Sequence, residues 1–265
     1  MVDIIIPIYK QIPDSDDLIS LNQVFCILGN YKITFIHPRS LDISAYKKFS
    51  ASFIEFDDIY FKNIYGYNQL MMNLDFYQKF SEKYILIYQT DCFVFKDQLI
   101  EWCKKDFDYI GAPWLRTSEK IPFIKLLFDK GISKFKTIIN FRNNGRWQKD
   151  KSLLYNNVGN GGFSLRKREK FVEILERIPN VADIYLKKEN SGQFYAEDVF
   201  FSIEPERNGI IFSKPNYREA CLFSIENKQQ KALDINNGEI PFGCHRWNKE
   251  KNFWREIFKK YNVQI

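Results

Sequence analysis

Apolar runs of strand length alternate with segments of helical spacing along the first hundred residues of the chain. Runs with few polar residues, such as 2–8, are typical of strands buried on both faces of a parallel sheet. Strands are expected at 2–8, 32–36, 52–56 and 84–88, and helices at 18–28 and 68–80. Asp14 and Asp17 offer caps for the first helix, and Gly29 offers its end. The order β-α-β-β-α-β predicts an α/β fold, a mostly parallel sheet flanked by helices.

The second half of the chain continues this pattern around one unusual segment. A helix at 97–104 and a strand near 108–114 precede residues 115–152, which are rich in basic and aromatic side chains. Further elements are expected at 158–166, 167–177, 195–203 and 249–261. No internal repeat and no linker rich in proline, glycine or serine divides the sequence. Residues 1–265 are therefore expected to form a single domain with a basic helical insertion at 115–152.

The composition fits a folded protein of a reducing compartment. Hydrophobic residues make up 45% and aromatic residues 17% of the chain, which is enough for a large core. The five cysteines show no C-x-x-C spacing, so neither a disulfide framework nor a thiolate zinc site is expected. The first residues read as a strand rather than a signal peptide, and no long uncharged apolar run could span a bilayer. We expect a cytoplasmic protein, with contact to the inner face of the membrane as an open alternative.

The net charge of +6 is concentrated in the insertion. Between positions 115 and 151 the chain has ten basic residues and three acidic ones, so the remainder is nearly neutral. Apolar residues such as Phe123, Ile124 and Phe128 lie among these lysines. The segment predicts either an amphipathic helix at an anionic lipid surface or a solvated face whose apolar stripe packs on the domain. The C-terminal segment 249–265 allows the same two interpretations.

Two pieces of sequence are predicted to meet at the carboxyl edge of the sheet. Pro7 and Tyr9 follow the first strand, and Gln89 and Asp91 follow the strand at 84–88. In open α/β sheets the ligand crevice lies at this edge. A carboxylate there can hold a hard divalent cation that neutralises a leaving diphosphate, although a solvated aspartate after a strand is an alternative.

A glycine-rich turn precedes the strand expected at 158–166. Three glycines in four residues, ending with Gly161 and Gly162, let the backbone approach a ligand such as a sugar closely, or simply make a tight turn. The spacing is not that of a P-loop, and no helix follows at once as a dinucleotide fingerprint requires.

Acid–base chemistry is expected from an acidic pair and a late histidine. A carboxylate can take the proton from an attacking hydroxyl, and Asp198 is our candidate for this base. Glu197 would orient the acceptor or brace the loop, while an exposed acidic turn or a helix cap is the alternative for the pair. His245 suits a Mn²⁺-type ion, or is a satisfied buried residue. For His37, which follows a strand, a structural role is expected.

Together these motifs resemble a bacterial and fungal family of GT-A-like glycosyltransferases. The resemblance rests on Gln-Thr-Asp ending at Asp91, Tyr-Ile-Gly-Ala-Pro-Trp from Tyr109, Gly-Asn-Gly-Gly-Phe-Ser-Leu-Arg from Gly159, Glu-Asp-Val from Glu197 and Pro-Phe-Gly-x-His ending at His245. It runs from about residue 1 to 250 and is weakest in the insertion. Two of the segments are also similar to inverting β-1,3-galactosyl- and N-acetylglucosaminyltransferases. That similarity implies that Asp198 is the base and that His245 joins a metal. Gln89 departs from the family pattern, which has an aspartate there.

The sequence thus predicts a glycosyltransferase that uses a nucleotide-sugar donor, with a UDP-sugar favoured. Asp91 and His245 would hold Mn²⁺ or Mg²⁺, and Gly161 and Gly162 would face the transferred sugar. The donor-binding residues would also include Gln89, Pro7, Tyr9 and Asn68. The acceptor would be a hydroxyl of a glycan or a lipid-linked molecule, the transfer would invert the anomeric centre, and no nucleic acid would bind. The alternatives are a metal-dependent phosphoesterase or nuclease, and a non-catalytic glycan- or lipid-binding module.

Overall fold

The computed structural model describes residues 1–116, 124, 127–128, 131–132, 135, 151–187 and 195–265. Within these residues the strands of the central sheet are β1 Val2–Pro7, β2 Lys32–Pro38, β3 Ser52–Phe56, β4 Tyr84–Tyr88, β6 Tyr109–Ile110 and β7 Phe163–Lys167. A small second sheet consists of β5 Phe93–Val94, β8 Ser224–Ile225 and β9 Gly243–Cys244.

The central sheet has the strand order β3-β2-β1-β4-β7-β6. The first four strands in the chain pair in parallel, whereas β7 runs antiparallel to both β4 and β6. This confirms the expected α/β class and the mostly parallel sheet. The antiparallel β7 positions the glycine turn, because Phe163 at the start of β7 pairs with Tyr88 at the end of β4.

Helices cover both faces of the sheet. They are α1 Ser15–Leu28, α2 Ile64–Met71, α3 Leu74–Gln78, α4 Leu99–Lys104, α5 Lys151–Leu154, α6 Arg168–Arg177, α7 Pro179–Tyr185, α8 Glu197–Arg207, α9 Tyr217–Phe223, α10 Gln229–Ile235 and α11 Lys251–Lys259. Short 3₁₀ turns occur at Ser44–Tyr46, Asp58–Phe61 and Trp247–Lys249. The described residues of the insertion between 124 and 135 are helical.

Capping residues explain where two of these helices begin. Asp14 accepts the backbone N–H groups of Asp16 and Asp17 and forms a capping box with Asp17, which starts α1 as expected. The single helix expected at 68–80 is wrong, since α2 ends at Met71 and α3 begins at Leu74. The side chain of Asn73 accepts the N–H of Asp75 and so begins a second helix inside a continuous apolar pattern.

The alternation of side chains along β1 divides the core into two layers. Ile5 faces a cluster with residues of α2, α3, α6 and α8, whereas Ile4 and Ile6 face a cluster with residues of α1 and α4. This double coverage accounts for strands that are apolar on both faces.

The C-terminal helix α11 packs on the small sheet. Trp254 and Phe258 are fully buried, and Phe258 stacks on Phe93 of β5 with ring centroids 4.0 Å apart. The apolar side of this helix is therefore part of the core. No helix among the described residues is both long and apolar enough to cross a bilayer.

Candidate active site

Three separate segments meet beyond the end of β4. The N–H of Gln89 donates to the carbonyl of Gly162 over 2.9 Å, because β7 pairs antiparallel with β4 at this point. The N–H of His245, just after β9, donates to the carbonyl of Ile225 over 3.0 Å. The two sheets thus bring the glycine turn and the late histidine to the end of the strand that carries Asp91.

The side chains at this junction form a compact set of oxygen and nitrogen donors. His245 Nε2 lies 3.0 Å from Asp91 Oδ1 and 3.1 Å from Gln89 Oε1. Gly162 lies against the same atoms, since a Cβ built on it would overlap His245 Nε2 and come 2.7 Å from Gln89 Oε1. Only a glycine leaves room for this arrangement.

This donor set fits a hard divalent cation. Asp91 Oδ1 is buried, and its close polar contact is with His245 Nε2, 3.0 Å away. Neighbouring ligands of an octahedral ion lie about 3 Å apart when each is about 2.1 Å from the metal. The two distances measured from His245 Nε2 match that spacing, so Gln89 joins Asp91 and His245 as a candidate ligand.

Asp91 and His245 each stabilise the charged form of the other. Burial raises the pKa of Asp91, but the charge of His245 outweighs it and holds that pKa below its usual value. Burial lowers the pKa of His245, while the charges of Asp91 and Glu226 outweigh this effect and raise it to about 9. Glu226 Oε1 lies 3.6 Å from His245 Nδ1, on the opposite side of the imidazole from Asp91. Without a metal the ring is thus an imidazolium at neutral pH, and a metal must displace its proton.

Cys92 lies beside this cluster, with its sulfur within 4.8 Å of the donor atoms of Asp91 and His245. Its thiol donates to the carbonyl of Gly162 over 3.2 Å, and burial raises its pKa well above the usual value. A protonated, buried thiol is a poor ligand for a hard cation, so we leave Cys92 out of the metal-binding set.

Asp198 lies in the first turn of α8, and its raised pKa suits a general base. Burial raises its pKa to about 7, and the charges of Glu197 and Glu226 act in the same direction. Its Oδ1 accepts the N–H of Val199 over 2.8 Å. Because Glu226 acts on both Asp198 and His245, it connects the candidate base with the metal-binding set.

Glu197 turns away from the cavity and into the protein. It is almost fully buried, and its Oε1 lies 3.0 Å from a guanidinium nitrogen of Arg166. Its backbone N–H donates to Asn68 Oδ1 over 3.2 Å. Of the two roles expected for Glu197, these contacts match bracing. Asn68 likewise supports α8 and is not among the residues that line the cavity.

An open cavity of about 620 Å³ leads to this junction. That volume is typical of small-molecule sites. Four of the predicted donor-site residues line it, namely Pro7, Tyr9, Gln89 and Asp91. The other lining residues are Lys10, Asp14, Asp17, Tyr60, Phe61, Lys62, Asn63, Ile64, Tyr67, Thr90, Asn248 and Lys249. Lys62 and Lys249 are exposed cations on its wall, suited to a phosphate group.

Some residues of the site escaped the sequence analysis. Glu226 comes directly after strand β8, and Asp91 comes three residues after strand β4. An acidic residue shortly after a strand is thus a sequence signal that could identify Glu226. Lys249 carries no such signal, because it reaches the cavity through the turn after β9. The sequence singles out Arg166 only as the last residue of the glycine motif.

Comparison with known proteins places the chain in a family. Residues 50–245 match the family described as "Protein of unknown function (DUF5672)". The chain belongs to this family. No curated protein sequence matches this DUF5672 member.

Solved structures similar to this DUF5672 member are glycosyltransferases. The galactosyltransferase LgtC, in complex with donor and acceptor sugar analogues, aligns with a TM-score of 0.51 at 13% identity, over 92% of this chain and 86% of that one. Mouse xyloside xylosyltransferase 1, in its apo form, gives 0.49 at 9% identity, over 92% and 97%. Core-mannan synthase A from Aspergillus fumigatus, in a Mn/GDP form, gives 0.48 at 11% identity, over 82% and 73%. The fold is the GT-A glycosyltransferase fold, which confirms the expectation from the resemblance.

Proposed function

We propose that this protein is a glycosyltransferase that moves a sugar from a nucleotide-sugar donor to an acceptor hydroxyl. The observation that carries the proposal is that the cavity ends where Gln89, Asp91 and His245 meet, with the glycine turn against them. In this proposal a donor would have its diphosphate at the metal-binding set and its sugar toward the glycine turn, while Gly161 and Gly162 themselves are buried and are not among the residues that line the cavity.

The cavity wall suits a nucleotide. Tyr9 is 58% exposed on the cavity side of β1 and offers an aromatic face to a base. Lys62 and Lys249 supply cations for the diphosphate. A UDP-sugar is the favoured donor.

Asp91 and His245 would hold the divalent metal, Mn²⁺ or Mg²⁺, with Gln89 as a neutral third ligand. When bound, such an ion supplies positive charge that stabilises the leaving diphosphate. Glu226 Oε1 lies 3.6 Å from the second nitrogen of the imidazole and would help to orient the ring, as carboxylates beside metal-binding histidines commonly do.

Asp198 is proposed as the general base. With a pKa of about 7 it is part-deprotonated at neutral pH and can accept the proton of the attacking hydroxyl. One placed base is sufficient for a single displacement, so we propose that the transfer inverts the anomeric centre. The anomeric configuration of the product, read by NMR, tests this, because retention would leave Asp198 without the assigned role.

The insertion is proposed to bring the enzyme to a lipid-linked acceptor at the cytoplasmic face of a membrane. Its described apolar side chains are exposed, with Ile124 at 80%, Phe128 at 68% and Phe135 at 61%. The exposure of these described side chains supports the proposal that they contact a lipid surface. The basic residues of the segment would add attraction to anionic lipids.

The function is tested by incubating the protein with a panel of nucleotide-sugars and Mn²⁺. Donor-dependent thermal stabilisation together with donor hydrolysis or transfer supports the proposal. Cleavage of nucleic acid or of a phosphoester would instead support the phosphoesterase alternative, and binding without turnover the non-catalytic module. A two-metal phosphoesterase site needs several converging carboxylates. Of the three aspartates that line this cavity, Asp14 and Asp17 cap α1 and bind Lys10, and Asp91 contacts His245.

A further inference from the structure

Arg166 is a completely buried arginine in the middle of β7. Each nitrogen of its guanidinium has a partner. Nε donates to Ser164 Oγ over 3.0 Å, and one terminal nitrogen donates to the hydroxyl of Tyr77 over 2.9 Å. The other terminal nitrogen donates to Glu197 Oε1 over 3.0 Å and to the carbonyl of Gly161 over 3.3 Å.

The last two contacts join the two segments that carry the proposed chemistry. Gly161 belongs to the turn proposed to face the sugar, and Glu197 directly precedes the proposed base, Asp198. A Cβ on Gly161 would overlap Glu197 Oε1 and lie 3.0 Å from Arg166, so the carboxylate rests on the bare glycine. Arg166 therefore fastens the glycine turn to the first turn of α8.

Stability alone does not account for this pair. Desolvating both charges costs about as much as their attraction returns, and apolar substitutes of similar volume are often neutral or stabilising. Rings surround the guanidinium, with the centroid of Phe171 5.3 Å and that of Tyr109 5.8 Å from its central carbon. This surrounding could accommodate an apolar side chain. An apolar side chain, however, could not form the hydrogen bonds that connect the glycine turn with the first turn of α8.

We propose that Arg166 is a positioning residue, which acts through Glu197 and the Gly161 carbonyl to fix Asp198 relative to the glycine turn. The proposal rests on the proposed function, since it assigns Asp198 to the acceptor and the turn to the donor sugar. A shift of the base by about 1 Å is enough to cost roughly 100-fold in rate.

The test separates positioning from stability by removing both charges together. Arg166→Met leaves Glu197 buried and unpaired, so we expect a large loss of Tm and of kcat. Arg166→Met combined with Glu197→Gln removes that unpaired charge. We expect the double variant to recover most of the Tm but to keep a kcat about 100-fold below wild type, with the donor KM little changed. Tyr77→Phe is the matched control, because it removes a contact of Arg166 that reaches neither Gly161 nor Glu197, and its kcat should stay near wild type.

A double variant that recovers kcat along with Tm would overturn the proposal, as would a Tyr77→Phe enzyme as slow as the double variant. Amide hydrogen exchange supplies a readout without turnover. In the double variant, residues 159–162 and 196–200 should exchange faster while β1 and β4 stay protected. Unchanged exchange in both segments would also refute the link. If the wild-type protein transfers no sugar, the proposed function is refuted. The hydrogen-exchange result would still decide whether Arg166 connects the glycine turn with the first turn of α8.

Discussion

Gln89 gives the proposed metal-binding set its most unusual chemical feature. Its amide oxygen stands 3.1 Å from His245 Nε2, close to the 3.0 Å of Asp91 Oδ1. An amide oxygen can bind a hard cation but brings no negative charge. The set thus has one carboxylate where the family resemblance leads one to expect two. We therefore expect a modest affinity for the metal alone, and a higher affinity when the diphosphate of the donor supplies further oxygen ligands.

Changing Gln89 should change the affinity for Mn²⁺ in the absence of donor. Gln89→Asp adds a charged oxygen and should tighten Mn²⁺ binding about 10-fold, while Gln89→Ala should weaken it by a similar factor. The dissociation constant is read from the EPR signal of free Mn²⁺, at one fixed pH because His245 must lose its proton on binding. Cys92→Ser is the control and should bind as wild type. Equal affinity of all three variants would remove Gln89 from the metal-binding set.

Replacing the proposed base should slow transfer without weakening donor binding. General bases contribute about 10² to 10⁴ in rate, so Asp198→Asn should lower kcat by that range while the Kd for the donor stays within about twofold. Glu206→Gln, an exposed position on the same helix, is the control and should leave kcat unchanged. Turnover by Asp198→Asn at the wild-type rate would show that another group takes the proton.

The rate should depend on pH through the same carboxyl group. Burial and the charges of Glu197 and Glu226 raise the pKa of Asp198 to about 7. Because a base acts only when deprotonated, kcat/KM should fall about tenfold per pH unit below that value and level off above it. A profile measured with saturating metal that is flat across neutral pH would contradict the assignment.

At the scale of elements, the sequence reveals local structure better than side-chain partners. The apolar run that becomes β4, with Gln89 and Asp91 beyond its end, is visible because a strand buried on both faces leaves a continuous signal. The break at Asn73 was missed, because the apolar spacing continues across it and only the asparagine cap interrupts the backbone. The contact between Arg166 and Glu197 was not predictable, since it depends on how α8 packs against β7.

The glycine turn is an element whose function depends on having no side chains. Gly162→Ala would push a methyl group against His245 and Gln89, so it should weaken both Mn²⁺ binding and transfer, with kcat/KM lower by about 100-fold. Gly131→Ala is the matched control, because no atom of the described residues lies within 4 Å of the position where its Cβ would be. Isothermal titration and initial rates measure the two effects. A Gly162→Ala enzyme that matches the control in both would show that the turn stands apart from the site.

At the scale of the whole molecule, most of the net charge lies in the insertion, whose described apolar side chains are exposed. The charge of the insertion was readable from composition, but whether its apolar stripe packs on the domain was not, because both arrangements have the same periodicity. The exposure of Ile124, Leu127 and Phe128 supports the membrane interpretation there, whereas burial of Trp254 and Phe258 accounts for the similar pattern in α11 as core. Two similar amphipathic patterns thus differ in the exposure of their described side chains, and α11 is covered because it packs on the small sheet.

Removing that stripe should weaken binding to anionic vesicles. Three substitutions to serine, at Ile124, Leu127 and Phe128, each remove an apolar side chain that is at least half exposed, so the fold should be unaffected and its Tm unchanged. Burial of each such side chain in the interface is worth about 1 kcal/mol or more, which predicts at least a 10-fold lower partition coefficient on vesicles containing phosphatidylserine. Ile211→Ser is the matched control, since Ile211 is 87% exposed outside the insertion and should not affect partitioning. High salt should weaken wild-type binding further through the basic residues. If the triple variant partitions like the Ile211→Ser control, the insertion is a solvated surface and the acceptor reaches the site from solution.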